Sequence, residues 1–383
     1  MTPAARLSAA IAVLDRILAG TTADQALTQW GRGHRFAGSG DRHAIRDLVF
    51  DALRCKRSCA ALGGGMTGRG LVLGGLRAAG QDPLGLFDGQ GHAPAIPGPA
   101  DEGRLPQGAE ALDVPDWLEP LLQAALGDGY AATMQAMRHR APVFLRVNLA
   151  RIGRDGAMAA LAADGIACLA HPTVNTALQV TGNERKIQMS AAYLSGLVEL
   201  QDAASQAVVA RMDLAPGARV LDYCAGGGGK TLAMAARGVA PDAHDSNPAR
   251  MKDLPARAAR AGAKVRLVQD VAKTAPYDAI LMDAPCSGSG SWRRDPQGKW
   301  ALTAARLGAL LAVQADILDR CVPLLAGRGV LTYATCSLLA EENEAQVNAF
   351  LTRHPEFALQ DQAQFSPQEG GDGFFVAMLT RRP

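Results

Sequence analysis

Apolar positions in the first 60 residues recur at helical spacing, with Leu7, Ile11, Leu14 and Leu18 on one face and Ile45, Leu48, Val49 and Ala52 on another. The spacing predicts an all-helical domain over residues 1–87. From Gly63 the pattern loosens through a Gly-Gly-Gly run and Gly68, Gly70, Gly74 and Gly75. Residues 88–116 carry Pro94, Pro97, Pro99, Pro106 and Pro115 and read as a linker. Residues 117–200 mix periods. Val143, Leu145 and Val147 alternate as a strand does, 155–163 is helical, and Ala177 to Val180 is extended, which predicts a small α/β subdomain.

From residue 201 to 383 strand, turn and helix repeat. Strands are expected at Arg219 to Cys224, Val239 to Asp245, Val265 to Asp270, Asp278 to Asp283 and Gly329 to Thr335. Helices start at Thr231 and cover 248–261 and 303–325. This alternation predicts a mainly parallel, doubly wound sheet with helices on both faces, a Rossmann-like α/β architecture.

Composition narrows the class. The chain has 383 residues, 48% hydrophobic and 20% charged, enough for more than one buried core and too apolar for disorder. No apolar run reaches the ~18 residues of a membrane span, and Arg6, Asp15, Arg16 and Asp24 interrupt any signal-peptide core, so a cytoplasmic protein is expected. Seven cysteines are an odd, sparse set, which favours free thiols over a disulfide framework. Cys55 and Cys59 lack a second pair at metal-ligand spacing, and no metal is expected.

The first strand of the repeat runs into Cys224-Ala225-Gly226-Gly227-Gly228-Gly229-Lys230-Thr231, a strand-to-helix turn whose glycines let backbone approach a ligand. Two cofactors compete. Gly-Lys-Thr ends a P-loop, and Ala279 to Asp283 imitates a magnesium-holding strand, but a P-loop needs glycine where this chain has Cys224. An adenosyl cofactor instead needs a carboxylate at the end of the second strand for the ribose hydroxyls. Asp245 meets that need, and Asp270 ends the third strand within reach of an adenine edge.

The next two strands end in Asp283-Ala284-Pro285-Cys286 and Thr335-Cys336-Ser337, which brings two cysteines to the carboxyl edge of the sheet. Carbon 5 of cytosine is a poor nucleophile until a thiolate adds to carbon 6 and makes an enamine that can attack a methyl sulfonium. A carboxyl group at the ring nitrogen stabilises that adduct, and a second group assists loss of the carbon 5 proton. Asp283, Cys286 and Cys336 are the right residue types.

Gln201 to Gln206, the Cys224 to Thr231 loop, Asp283 to Gly290, Arg293 to Pro296, Tyr333 to Ser337 and Gly373 to Val376 together resemble the ordered motifs of the Sun (Fmu) family of RNA cytosine-5 methyltransferases. The resemblance covers about residues 140–383 and implies a class I methyltransferase domain using S-adenosylmethionine. It implies Cys336 as nucleophile, Cys286 as the cysteine that assists release, and Asp283 at the cytosine ring. The cofactor is implied along Cys224, Ala225, Gly226, Gly227, Gly228, Gly229 and Lys230, with Asp245, Asp270 and Asp283. Gly31 to Arg54 is similar to the NusB-like RNA-binding domain found in the bacterial members that methylate 16S ribosomal RNA. Transfer RNA or 23S ribosomal RNA as substrate, or a non-catalytic RNA-binding assembly factor, are the alternatives. Three features depart from the family pattern: Gly227 where proline is usual, Gln297 where aspartate is frequent, and the glycine-rich 63–75 stretch within the helical domain.

The net charge of +2 conceals segregation. Residues 1–60 carry nine basic and five acidic side chains, 61–130 three and nine, 131–200 seven and four, and 201–383 twenty and nineteen. Arg35 and Arg42 in the helical start, Arg146 in the small subdomain, and Arg293 and Arg294 after the Cys286 loop are the candidate RNA contacts. Trp292 and Trp300 are candidates to hold an extruded base. A monomer with ribosomal RNA as partner is expected.

Overall fold

The computed structural model describes residues 1–382; Pro383, the last residue of the expected catalytic segment, lies outside them. Two compact units emerge, Met1–Arg140 with Trp292–Leu302, and Ala141–Ser291 with Thr303–Pro383.

The first unit is built on helices Pro3–Leu18, Ala23–Gly33, Ser39–Arg54, Lys56–Leu62 and Gly68–Ala78. Thr2, Thr22 and Thr67 cap three of them by accepting from backbone N–H groups of the first turn. Leu14, Ile45, Val49, Leu71 and Leu73 are fully buried in its core, each contributing at most ~1.5–3 kcal/mol relative to exposure. The glycine-rich stretch is ordered, contrary to the expectation of a loosened pattern. A Cβ on Gly74 would lie 1.8 Å from the carbonyl oxygen of Cys59, so these glycines let two helices pack backbone to backbone.

The expected linker is likewise a packed strap. Arg69 forks onto Asp101 with two 2.9 Å hydrogen bonds, and Arg77 reaches the carbonyls of Leu62 and Asp101. Asp113 is completely buried and accepts from the backbone N–H groups of Arg57 and Ser58 and from Arg138. Prolines and glycines there preclude a regular ladder, and side chains supply the order instead. Helices Glu119–Leu126 and Tyr130–Met137 cluster with this unit, and the sheet of the small α/β subdomain begins at Val143.

Trp292–Leu302 is a further correction. The side chain of Gln297 accepts from the N–H of Ala23 at 2.8 Å, at the start of a helix, and Trp300 Nε1 donates to the carbonyl of Leu53 at 2.7 Å. Arg54 Nε donates to the carbonyl of Arg293, and Lys299 Nζ to that of Arg54. Gln297 therefore does a capping job that needs a side-chain acceptor.

The second unit holds two sheets. Strands β1 (Val143–Val147), β2 (Ala167–Ala170), β3 (Ala177–Gly182) and β4 (Val198–Leu200), with helices Arg154–Ala163 and Ala191–Leu194, make an antiparallel βαββαβ layer ordered β2-β3-β1-β4, the ferredoxin-like arrangement. The large sheet contains β5 (Val220–Asp222), β6 (Asp242–Ala243), β7 (Arg266–Leu267), β8 (Tyr277–Asp283), β9 (Leu325–Thr335), β10 (Phe357–Phe365) and β11 (Phe374–Arg381). Its order is β10-β11-β9-β8-β5-β6-β7; β5 to β9 are parallel, and β11 is antiparallel to both β9 and β10. The chain leaves β5 toward β6 and β7, then returns to the other side at β8, which makes the carboxyl ends of β5 and β8 the topological switch point of a Rossmann-like domain.

Candidate active site

The loop after β5 is folded around one carboxylate. Asp245 is buried; its Oδ2 accepts from the N–H of Gly226 at 2.9 Å and pairs with Arg250 at 3.1 Å, and its Oδ1 accepts from the N–H of Asn247. Gly226 and Gly228 have φ of +51° and +81°, and a Cβ on Gly228 would come 2.2 Å from Leu254. Both positions therefore require glycine. Gly227 has no such constraint, consistent with a site where proline is usual; its carbonyl accepts from Arg257.

Beneath the loop, Asp222 is fully buried and accepts from the Thr231 hydroxyl at 2.6 Å, while its Oδ1 has no hydrogen-bond partner. Burial pushes the Asp222 carboxyl up to about 7. A buried acceptor left open beside a glycine cradle, together with the spare lone pairs of Asp245, fits a ligand rich in donors, as the ribose and amino groups of an adenosyl cofactor are.

Lys230 connects this loop to the next strand. Its ammonium, itself buried, pairs with Asp283 at the end of β8 at 2.7 Å and lies 4.7 Å from the centre of the Phe374 ring. Cys286 follows Asp283, and Cys336 follows β9. The register pairing Asp283 with Ala334 brings their sulfurs to 3.3 Å. The Cys336 thiol is held below its usual range, first by the hydrogen bond from Cys286 and further by the charge of Lys230. The Cys286 thiol is pushed up by the same contact and by burial. The pair is thus polarised, one sulfur disposed to be a thiolate and the other to keep its proton.

Backbone contacts fix the loops. Ala284 N–H donates to the carbonyl of Ala334 and Gly290 N–H to that of Cys336, both at 2.9 Å. A Cβ on Gly290 would collide with the carbonyl of Gly373 at 2.0 Å, so the Gly373 to Val376 motif packs directly against the Cys286 loop. Glu342, Gln314 and Asn343, which the reading of the sequence did not single out, lie under this site; Glu342 is completely buried and bonds to both Ser287 and Ser337. The signal was a glutamate within a few residues of a cysteine motif, indistinguishable in sequence from a solvated helix start.

The structure brings together Asp283, Cys286, Cys336, Lys230 and the glycine loop with Asp245. It leaves Asp270 exposed beyond the edge strand β7, paired with Lys273 at 3.3 Å. Arg35, Arg42 and Arg294 are exposed. Two expected RNA contacts are corrected. Arg146 is 4% exposed and donates to the side chain of Gln201 and the carbonyl of Gly229, so it braces the glycine loop. Arg293 is also 4% exposed, and Trp292 is 2% exposed, both within the first unit. A guanidinium or indole removed from solvent cannot track a phosphate backbone or stack on a base in this conformation.

Residues 209–380 match the family described as 16S rRNA methyltransferase RsmB/F, and residues 114–187 match the RsmF/B-like ferredoxin-like domain. The ribosomal RNA small subunit methyltransferase B of Xylella fastidiosa is 33% identical over 303 residues, 74% of this chain and 70% of that protein. Its counterpart from Salmonella arizonae is 34% identical over 287 residues, 70% of this chain and 66% of the relative's length. Among solved structures, PH0851 superposes over 100% of this chain and 99% of its own with a TM-score of 0.77 at 22% identity. A methyltransferase homolog from Pyrococcus horikoshii covers 72% of this chain and 97% of its own, with a TM-score of 0.63 at 22% identity. At those identities the solved structures speak to the fold, and they agree with the Rossmann-like sheet described above. The P-loop alternative is overturned, since the matched family is a methyltransferase family. The chain belongs to the 16S rRNA methyltransferase RsmB/F family.

Proposed function

We propose that this protein forms 5-methylcytosine in 16S ribosomal RNA through a covalent adduct between Cys336 and carbon 6 of the target base. The observation that carries the reading is the 3.3 Å approach of the two thiols beside the Lys230–Asp283 pair. Cys336 adds to carbon 6, favoured by its lowered thiol pKa. Asp283, positioned by Lys230, lies at the ring, where its carboxyl group would donate a proton or hydrogen bond to the ring nitrogen as the addition develops negative charge there. S-adenosylmethionine supplies the methyl group, and the residues that would hold it are the 224–230 loop, Asp245 and Asp222, with the exposed Asp270 at the rim for the adenine edge. Cys286 assists the loss of the carbon 5 proton and the departure of Cys336.

The target cytosine must be unstacked for a thiol to reach carbon 6. Arg35, Arg42 and Arg294 are the remaining candidates for phosphate contact. No helix among the described residues is long and apolar enough to cross a membrane. We expect the protein to act in the cytoplasm, as a monomer, without a metal ion.

Transfer of tritiated methyl groups to purified RNAs, followed by bisulfite sequencing, tests the proposal. The expected result is incorporation into 16S ribosomal RNA at a single cytosine. Incorporation into transfer RNA or 23S ribosomal RNA alone would keep the chemistry and overturn the substrate; no incorporation into any RNA, with cofactor bound, would favour a non-catalytic binding factor.

A further inference from the structure

The loops that carry the two thiols are tied together by a buried carboxylate that touches neither sulfur. Glu342 closes the short turn Ala340–Glu342 after β9 and has no solvent exposure. Its Oε1 accepts from the backbone N–H of Ser287 at 2.8 Å and from Gln314 Nε2 at 3.0 Å. Its Oε2 accepts from the hydroxyls of Ser287 and Ser337. Ser287 is the residue after Cys286, and Ser337 the residue after Cys336.

The surroundings reinforce the tie. Gln314, from helix Ala304–Cys321, also donates to the carbonyl of Pro285 at 2.9 Å, one residue before Cys286. Asn343 donates to the carbonyl of Ser337 at 3.0 Å and accepts from Thr335, one residue before Cys336. Ser289 and Ser337 hydroxyls meet at 2.9 Å. The residues on both sides of each thiol are thereby tied to Glu342, Asn343 and Gln314. Hydrogen bonds to a carboxylate are shorter and about twice as strong as neutral ones, and a buried carboxylate is costly unless its oxygens are saturated. A fastener that only had to join two loops could be apolar; this one fixes direction as well as proximity.

We propose that Glu342 is a positioning residue for methyl transfer, clamping the Ser287 and Ser337 loops so that Cys286 stays beside Cys336 for the release step. The proposal rests on Cys336 being the nucleophile. In that step, with Cys336 bonded to carbon 6, the Cys286 thiolate takes the carbon 5 proton, the electrons of the C–H bond re-form the carbon 5 to carbon 6 double bond, and the Sγ–carbon 6 bond breaks with its pair returning to Cys336. With the loops unclamped, addition and methylation still occur, while release slows.

The test uses the full-length protein with 16S ribosomal RNA and S-adenosylmethionine, comparing Glu342→Gln and Ser287→Ala with wild type. Calorimetric cofactor affinity serves as the check on folding. For Glu342→Gln the account expects cofactor affinity within about twofold of wild type, kcat lowered ~10–100-fold with KM nearly unchanged, and a protein–RNA adduct that survives denaturation. Ser287→Ala is expected to show the same adduct with a smaller fall in kcat. Wild-type kcat without adduct in Glu342→Gln would overturn the positioning role. Should Glu342→Gln lose cofactor binding, Ser287→Ala decides alone, and normal kcat without adduct there would overturn it. A wild-type protein that transfers no methyl group would instead contradict the underlying reading, which keeps the two failures distinct.

Discussion

The two halves of the large sheet are built by different means. On the thiol side, β8 and β9 run for seven and eleven residues and pair from Tyr277 with Leu325 to Asp283 with Ala334. On the cofactor side, β5, β6 and β7 have three, two and two residues, and side chains complete what the ladder does not. Asp242 takes a forked contact from Arg266 at 2.7 and 2.5 Å and a hydrogen bond from the Tyr277 hydroxyl at 2.8 Å, while Asp245 organises the glycine loop. Continuous strands hold the two sulfurs in register. Short strands with carboxylate anchors shape a cradle whose glycines leave room for a ligand.

If that division is right, the largest effect belongs to the thiol side. Cys336→Ala should lower methyl transfer by at least ~10³-fold while leaving the cofactor dissociation constant within about twofold, because the nucleophile is absent and the cradle intact. Retained turnover in a single-turnover assay would remove Cys336 from the reaction. Next in size, Asp245→Ala should weaken cofactor binding ~10–100-fold, about 1.4–2.8 kcal/mol, by releasing the N–H of Gly226 as well as the contact to ligand. Calorimetry showing an unchanged dissociation constant would contradict the cradle.

The smallest effect concerns Asp222. Its carboxyl is raised from 3.8 to about 7 by burial, so the folded protein binds this proton more tightly than the unfolded chain does. Stability should therefore fall as pH rises from about 4 to about 7 and stay level above. Asp222→Asn removes that slope, and urea unfolding should favour the variant by ~2–3 kcal/mol more at pH 8 than at pH 5. A difference independent of pH would show that Asp222 does not carry the burden assigned to it.

The same contrast explains how much was legible in the sequence. The thiol side announced itself, since Asp278 to Asp283 and Gly329 to Thr335 are apolar runs ending in cysteine motifs, and both exist with modest extension. The cofactor strands were placed correctly but overestimated: Val239 to Asp245 shrinks to Asp242–Ala243, because propensity does not register where side-chain anchors replace ladder pairing. The hairpin of β10 and β11 went unread, its alternation in β10 being mostly between half-buried and exposed positions. Tertiary partners were the least visible. Nothing local distinguishes Arg146, buried under the Gly229 carbonyl, from an arginine in water, or shows that Trp292–Leu302 folds with helices more than two hundred residues earlier. In residues 88–116 composition reports the lack of regular hydrogen bonding, not the presence of Asp113 and its partners.

The central claim, that two neighbouring thiols divide attack and release, meets its most direct test in Cys286→Ala. Incubated with 16S ribosomal RNA and S-adenosylmethionine, this variant should accumulate a protein–RNA species that survives denaturation, with peptide mass spectrometry locating a methylated cytosine on Cys336. Turnover at the wild-type rate with no such species, or an adduct on any other residue, would contradict the account.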